Sequence, residues 1–325
     1  MNDSKTTAKL IDQLKRFLGR ISPQFRRPTI RFVGDMLYGI LAEKDVKLAN
    51  IARALSRPCS MKKKEDRLSR LLSTERLADM LHRAIAREGA RRVRGDTLII
   101  VDPSDIQKTY ARRMEHLAKV WDGSRGVVGD DLGYWGCMAV ACESGGRRPV
   151  PLHFRVWSAE ASGHVSENVE VESVLDTLTE HTRGRGIYVY DRGGDNIEFY
   201  RYFACRGLDF IVRLKERHVR SWRKTYMCGE LAWQCTMRYR DVAEGYMTRW
   251  RVEETIRHVK QSYSLEDVRL MKYDKLRNLA AIVLAEVYFS MAWIGNSEKH
   301  EVIARSILRS SAEEFRVENE EPLPK

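Results

Sequence analysis

The chain has 325 residues, 43% of them hydrophobic, with 57 Lys+Arg against 45 Asp+Glu and a formal net charge of +12. That composition excludes a disordered or fibrous chain and gives room for one large domain or two modest ones. A basic excess of this size points to a polyanionic partner, nucleic acid before membrane, because neutralising phosphates releases condensed counterions.

Residues 1 to about 95 are predicted to be helical throughout. "TAKLIDQLKRFLGRI", "TIRFVGDMLYGILAE", "KLANIARALS" and "EDRLSRLLSTERLADMLHRAIARE" each repeat apolar residues at three- and four-residue intervals. Lys62, Lys63, Lys64, Arg67 and Arg70 gather at one helix start. They read either as a solvated charged face or as a helix-turn-helix-like unit resting on DNA phosphates. The opening residues carry no apolar signal segment. The six cysteines form no CxxC pair and read as isolated thiols in a reducing, cytoplasmic setting.

Near residue 96 the texture changes to strands. "TLIIVD" (97–102) ends on Asp102, and "GYWGCMAVACES" (133–144) and "RPVPLHFRVWSA" (148–159) follow as a hairpin pair across a Gly-Gly signal. A helix over 166–182, the strand "GIYVYD" (186–191), a helix from 195 to 206 and the strand "DFIVRLK" (209–215) come next. Three antiparallel-type strands followed by alternating units predict an α/β fold, a mixed sheet with helices on its faces. The longest apolar run, 278–295, carries Glu286 near its middle and predicts a buried helix rather than a membrane span.

Asp102 and Asp191 both close a predicted strand, where side chains project into a ligand crevice. The plainer role for either is a turn or cap residue. Asp105 and Asp195 stand nearby, and Asp195 reads as the N-cap of the next helix. In "YMTRWRVEETIRHVK" (246–260), a helical screw of about 100° per residue brings Tyr246, Arg249, Glu253 and Lys260 onto one stripe. Glu254 is turned away by about 100°, and Val252, Ile256, Val259 and Tyr263 form the adjoining apolar face. The plain alternative is an amphipathic helix with Arg249–Glu253 as an ordinary i,i+4 pair. Three carboxylates meeting at sheet ends suit Mg²⁺, and two such ions can activate a nucleophile and stabilise a leaving oxygen.

This stretch resembles the Y-x2-R-x3-E-x6-K signature of bacterial insertion-sequence transposases with a DDE triad, of the insertion-sequence-four type. "IVDPSDIQK" and "YVYDRGGDN" resemble the family's two aspartate motifs. The resemblance implies an RNase H-like catalytic core over 96–298, an N-terminal helical DNA-binding region over 1–95 and a tail over 299–325. It implies Mg²⁺ or Mn²⁺, two ions, held by Asp102, Asp191 and Glu253. Tyr246, Arg249 and Lys260 are implied to hold DNA phosphates. The implied chemistry is hydrolysis at transposon ends, then attack of the freed 3′-OH on target DNA. The implied partners are terminal inverted repeats and target DNA, bound by a homodimer in a synaptic complex at the bacterial nucleoid. Family members carry a β-rich insertion before the glutamate; here it is reduced to about 216–245, with Trp222 and Trp233 inside it. The alternatives are an inactive DNA-binding remnant or repressor of the element, and an RNase H-like nuclease without strand transfer.

Overall fold

In the computed structural model, which describes residues 3–108, 110–122, 127–143, 149–215, 218–221, 224–227 and 239–294, strand β1 (Leu98–Gln107) occupies the middle of the sheet. Its run Leu98–Val101 is apolar at every position because both sheet faces are covered. Leu98 and Ile100 enter one core, while Ile99 and Val101 enter a second on the opposite face. On one side β1 pairs antiparallel with β3 (Val127–Cys142). On the other it pairs parallel with β5 (Ile187–Tyr190), which pairs parallel with β6 (Asp209–Val212). The far edge of β3 is shared by β2 (Ala118–Asp122) and β4 (Val150–Trp157), both antiparallel to it. This is the mixed α/β sheet expected of an RNase H-like core.

Helices α6 (Glu167–Thr182) and α7 (Ile197–Arg206) cover the second core. Ser166 caps α6 by accepting from the Val169 N–H, and Asn196 caps α7 by accepting from the Glu198 N–H at 2.8 Å. The first core is covered by α9 (Trp250–Ser262) and α10 (Tyr273–Phe289). The apolar run predicted as a buried helix is α10, in which every residue from Leu279 to Phe289 is buried. Together with the π-helical turn Ser290–Ile294 that continues it, it is long and apolar enough to cross a membrane, yet most of that stretch lies inside the fold. Glu286, fully buried, accepts from the Ser290 hydroxyl at 2.8 Å and lies 3.8 Å from the Lys44 ammonium.

The N-terminal region is helical as predicted: α1 (Asp3–Ile21), α2 (Arg27–Glu43), α3 (Leu48–Ala54), α4 (Met61–Leu71) and α5 (Leu77–Gly89). It does not stand apart from the sheet. α10 packs against α2, α5 and β4, so one apolar core runs from Leu10 to Met291.

Several predicted elements end elsewhere. The periodic stretch 65–88 is two helices, because the chain turns at Ser73–Arg76 and Arg76 takes a left-handed φ of 56°. β1 does not stop at Asp102; β3 continues to pair with it as far as Gln107. Pro103 fits there because β5 has already left that edge, where a missing N–H costs little. Asp195 is not the cap of α7. It is buried, accepting from the Tyr200 hydroxyl and the Lys215 N–H at 2.8 Å each, so it ties the start of α7 to the chain beyond β6. Strand β2 was not predicted. The Gly-Gly signal at 145–146 lies outside the described residues.

Where the reduced insertion was placed, β7 (His218–Ser221) and β8 (Lys224–Met227) form an antiparallel pair. Trp222, Trp233 and the tail 299–325 lie outside the described residues, as do Cys228 and Cys235. Of the cysteines among the described residues, Cys137 and Cys142 are buried but Cys59 and Cys205 are exposed, so core packing accounts for only half of them.

Gly133 marks the crowded point where β1, β2 and β3 meet. A Cβ there would lie 2.3 Å from the Ile106 carbonyl oxygen and 3.1 Å from the Gln107 Cα. Both are backbone atoms held in the ladder and cannot swing aside. Gly133→Ala is expected to destabilise the chain by about 2 kcal/mol or more, whereas Gly95→Ala, with nothing within 4 Å, should change little. Denaturant unfolding of the two variants checks the contrast.

Candidate active site

Register brings the first two acids together. Ile100 of β1 is paired with Val189 of β5, and Asp102 and Asp191 each stand two residues further along parallel strands. Both therefore lie on the face of the first core, just beyond the point where the two strands part. Asp191 also accepts from the Gly193 N–H at 2.7 Å, so it turns the chain as well as facing the crevice.

The third acid comes from the helices that follow β8 in the chain. The stripe predicted on one helix is split: α8 (Tyr239–Met247) ends, Thr248 and Arg249 turn, and α9 begins at Trp250. The joint is short, with the Arg249 N–H donating to the Tyr246 carbonyl and the Val252 N–H to the Arg249 carbonyl. Val252, Ile256, Val259 and Tyr263 are buried against the sheet, as their spacing predicts. Glu253 is left at the edge of that face, and Glu254 turns away to pair with Arg251 at 3.2 Å.

Arg249 joins the acids. Its guanidinium lies 3.2 Å from an Asp102 oxygen and also hydrogen-bonds Glu253. The Asp102 carboxyl is raised to about 7: burial is the largest cause, Arg249 opposes it, the charges of Asp191 and Glu253 add to the rise, and Lys260 opposes it weakly. For Arg249 burial works against the charge, but Asp102 and Glu253 outweigh it and hold its pKa above the usual value. The site is thus an oxygen-only set of carboxylates short of positive charge, a set that suits a hard divalent cation. Among the described residues no three acids, histidines or cysteines stand close enough to enclose an ion; Arg249 bridges Asp102 and Glu253.

Lys260 does not join this group. It lies 3.2 Å from Asp105 and 3.6 Å from Glu266, further along β1. A cleft of about 500 Å³ runs between the two clusters, lined by Asp102, Ser104, Asp105, Glu253, Lys260 and Glu266 among others. Tyr246 sits at the other end, half-buried, with the Arg249 and Arg213 guanidinium groups each 6.0 Å from its ring centre. Arg213 follows β6 as Asp191 follows β5. A basic residue one step past an apolar strand was the available signal for it. Glu167, in the first turn of α6, was also missed; partial burial and the charge of Asp191 raise its carboxyl above the usual range.

The basic cluster on α4 is only partly available. Ser60 caps this helix by accepting from the Lys63 N–H, and Lys62, Lys63 and Arg70 are exposed. Lys64 instead donates to the Leu55 carbonyl, and Arg67 lies 3.4 Å from the buried Asp35, which Arg57 also binds.

No curated protein matches the chain. Residues 93–287 match the family model described as the transposase DDE domain, about three-fifths of the sequence and the whole span from β1 almost to the end of α10. On that match the chain belongs to the DDE transposase family.

Proposed function

We propose that this transposase hydrolyses phosphodiester bonds at the terminal inverted repeats of its element and then joins the freed 3′-OH to target DNA. The observation that carries the reading is that Arg249 bridges Asp102 and Glu253, while strand register sets Asp191 beside Asp102. In this reading Asp102, Asp191 and Glu253 hold Mg²⁺ or Mn²⁺, two ions, which would supply an activated nucleophile and neutralise charge at the leaving oxygen. Asp102 comes from a strand and Asp191 from the residue just past one, while Glu253 comes from a helix held by its apolar face. That division suits a site that must keep its geometry while a long polymer enters.

Tyr246, Arg249 and Lys260, the three other residues of the Y-R-E-K signature, are assigned to DNA phosphates. Arg249 then has two duties. Without DNA it offsets the charge of Asp102 and Glu253; with DNA the scissile phosphate competes for it. Arg249→Gln is therefore expected to bind Mn²⁺ about tenfold more tightly in the absence of DNA, a change of roughly 1.4 kcal/mol. The same variant should hold a DNA end more weakly. Mn²⁺ titration followed by electron paramagnetic resonance checks the first effect, and unchanged affinity would contradict the bridging role.

The helical region 1–95 is assigned to end recognition, with Lys62, Lys63 and Arg70 free to meet phosphates, and a homodimer is assigned to synapsis of two ends at the bacterial nucleoid. Strand transfer from a pre-cleaved end, scored as joined product on a plasmid target, tests the reading. A chain that cuts ends but never joins them is a nuclease, and one that binds ends without cutting is a remnant.

A further inference from the structure

We propose that Lys108 is a positioning residue for the catalytic helix, its ammonium clamping the chain beyond α9 so that Glu253 and Lys260 stand in register with Asp102 and Asp105. The proposal rests on the site assignment above for what is being positioned. The clamp itself rests on separate contacts.

Lys108 follows β1 directly and is only 2% exposed. A lysine is almost never buried this deeply without partners. Its ammonium donates to three backbone carbonyls, Leu265 at 2.6 Å, Val268 at 2.8 Å and Glu266 at 3.1 Å. An ammonium has three donors, and each has an acceptor. The backbone of Lys108 is held too: its N–H donates to the Leu132 carbonyl and its carbonyl accepts from the Ala111 N–H, both at 2.8 Å. The clamp is therefore anchored in the same strand that carries Asp102.

The clamped segment is the exit of α9. Tyr263 and Leu265 are fully buried, Ser264 takes a left-handed φ of 49°, and the Asp267 N–H closes a turn onto the Ser264 carbonyl. Glu266 links this segment to the site, since its carbonyl accepts from Lys108 while its carboxylate lies 3.6 Å from Lys260. Lys260 in turn reaches back to Asp105, three residues before Lys108. Strand and helix are thus tied twice, through Asp105–Lys260 at the surface and through Lys108 beneath it. The surface tie is a part-exposed ion pair between two side chains; the buried one holds three backbone carbonyls through one ammonium. An error of about 1 Å in helix placement is enough to cost on the order of a hundredfold in rate.

The test is a double-substitution cycle on the full chain. Lys108→Met keeps the stem and removes the ammonium. It is expected to lower Mn²⁺ affinity about tenfold and cleavage of end DNA about a hundredfold, at a temperature where circular dichroism shows it folded. In a Glu253→Gln background, Lys108→Met should add no further loss of Mn²⁺ affinity, because the residue acts through Glu253. Equal losses in both backgrounds, or no loss at all, overturn the clamp. If Glu253→Gln alone leaves Mn²⁺ binding intact, it is the metal-site reading that fails. Lys108→Ala supplies an independent arm: added n-propylammonium should restore both Mn²⁺ affinity and cleavage, and 1-propanol should not. If both variants stay unfolded even with the amine, Lys108 serves folding alone and the proposal is wrong.

Discussion

Asp102→Asn and Glu253→Gln are each expected to reduce Mg²⁺-dependent cleavage of transposon-end DNA by at least about a thousandfold, roughly 4 kcal/mol of barrier. Both substitutions keep size and shape and remove only charge, so the fold and the binding of uncut ends should survive. Asp102 is the more informative of the two. It lies on a strand paired with β3 and is tied to Arg249, so little can move to replace it. Glu254→Gln is the matched control: its partner is Arg251, away from the other acids, and it should cleave near the parent rate. Cleavage of labelled end DNA, with gel-shift binding measured in parallel, decides the matter. If Glu254→Gln proved as damaging as Glu253→Gln, or if Asp102→Asn still cut DNA, the assignment of the acids would be wrong.

The second large effect concerns acid stability and comes from two histidines outside the site. His82 on α5 and His153 on β4 are 5% and 2% exposed, with ring centres 4.1 Å apart. The His82 Nε2 is 2.9 Å from the Phe154 carbonyl oxygen. Burial, reinforced by the nearby Arg155 charge, pulls His82 down to about 3, with Asp79 opposing and Arg277 adding to the fall. Burial, the neighbouring His82 and Arg155 push His153 well below its ordinary value. Between those values and about 6.5, the free imidazole value, the unfolded chain binds protons that the folded chain refuses. Stability is therefore full above about pH 6.5 and falls as pH drops. His82 alone costs about 2 kcal/mol between pH 7 and pH 5, a sizeable share of a typical folding free energy, and His153 acts in the same direction. His153→Met, which cannot titrate, should make that fall shallower. Urea unfolding of parent and variant at both pH values measures it, and parallel curves would count against the pair.

Much of this was legible because it is local or periodic. The run Leu98–Val101 announces a strand covered on both faces, and the spacing of Val252, Ile256, Val259 and Tyr263 gives the buried face that separates Glu253 from Glu254. The two aspartates could be singled out from the strands before them, but their being adjacent depends on register, which no single strand encodes. What escaped was decided at long range. The continuation of β1 past Asp102 depends on β3, some thirty residues on. Arg67 and Lys64 look like DNA contacts until Asp35 and the Leu55 carbonyl claim them. The break at Thr248–Arg249 hides inside a helical pattern that runs across it. Lys108 resembles any basic residue after a strand, since its three acceptors are backbone atoms of distant residues.

The place of α10 has a consequence for how such a protein can diversify. This last described helix is the common wall of the N-terminal helices and the sheet. Under the proposal that residues 1–95 recognise the ends, a new end sequence would most simply be acquired by grafting those residues of a relative onto this core. Such a chimera would put unmatched side chains from α2 and α5 against Leu279–Phe289 and inherit a poorly packed centre. On that proposal, specificity should evolve by surface substitution on α4 and its neighbours, or by co-inheritance of the N-terminal helices with α10, rather than by exchange of modules.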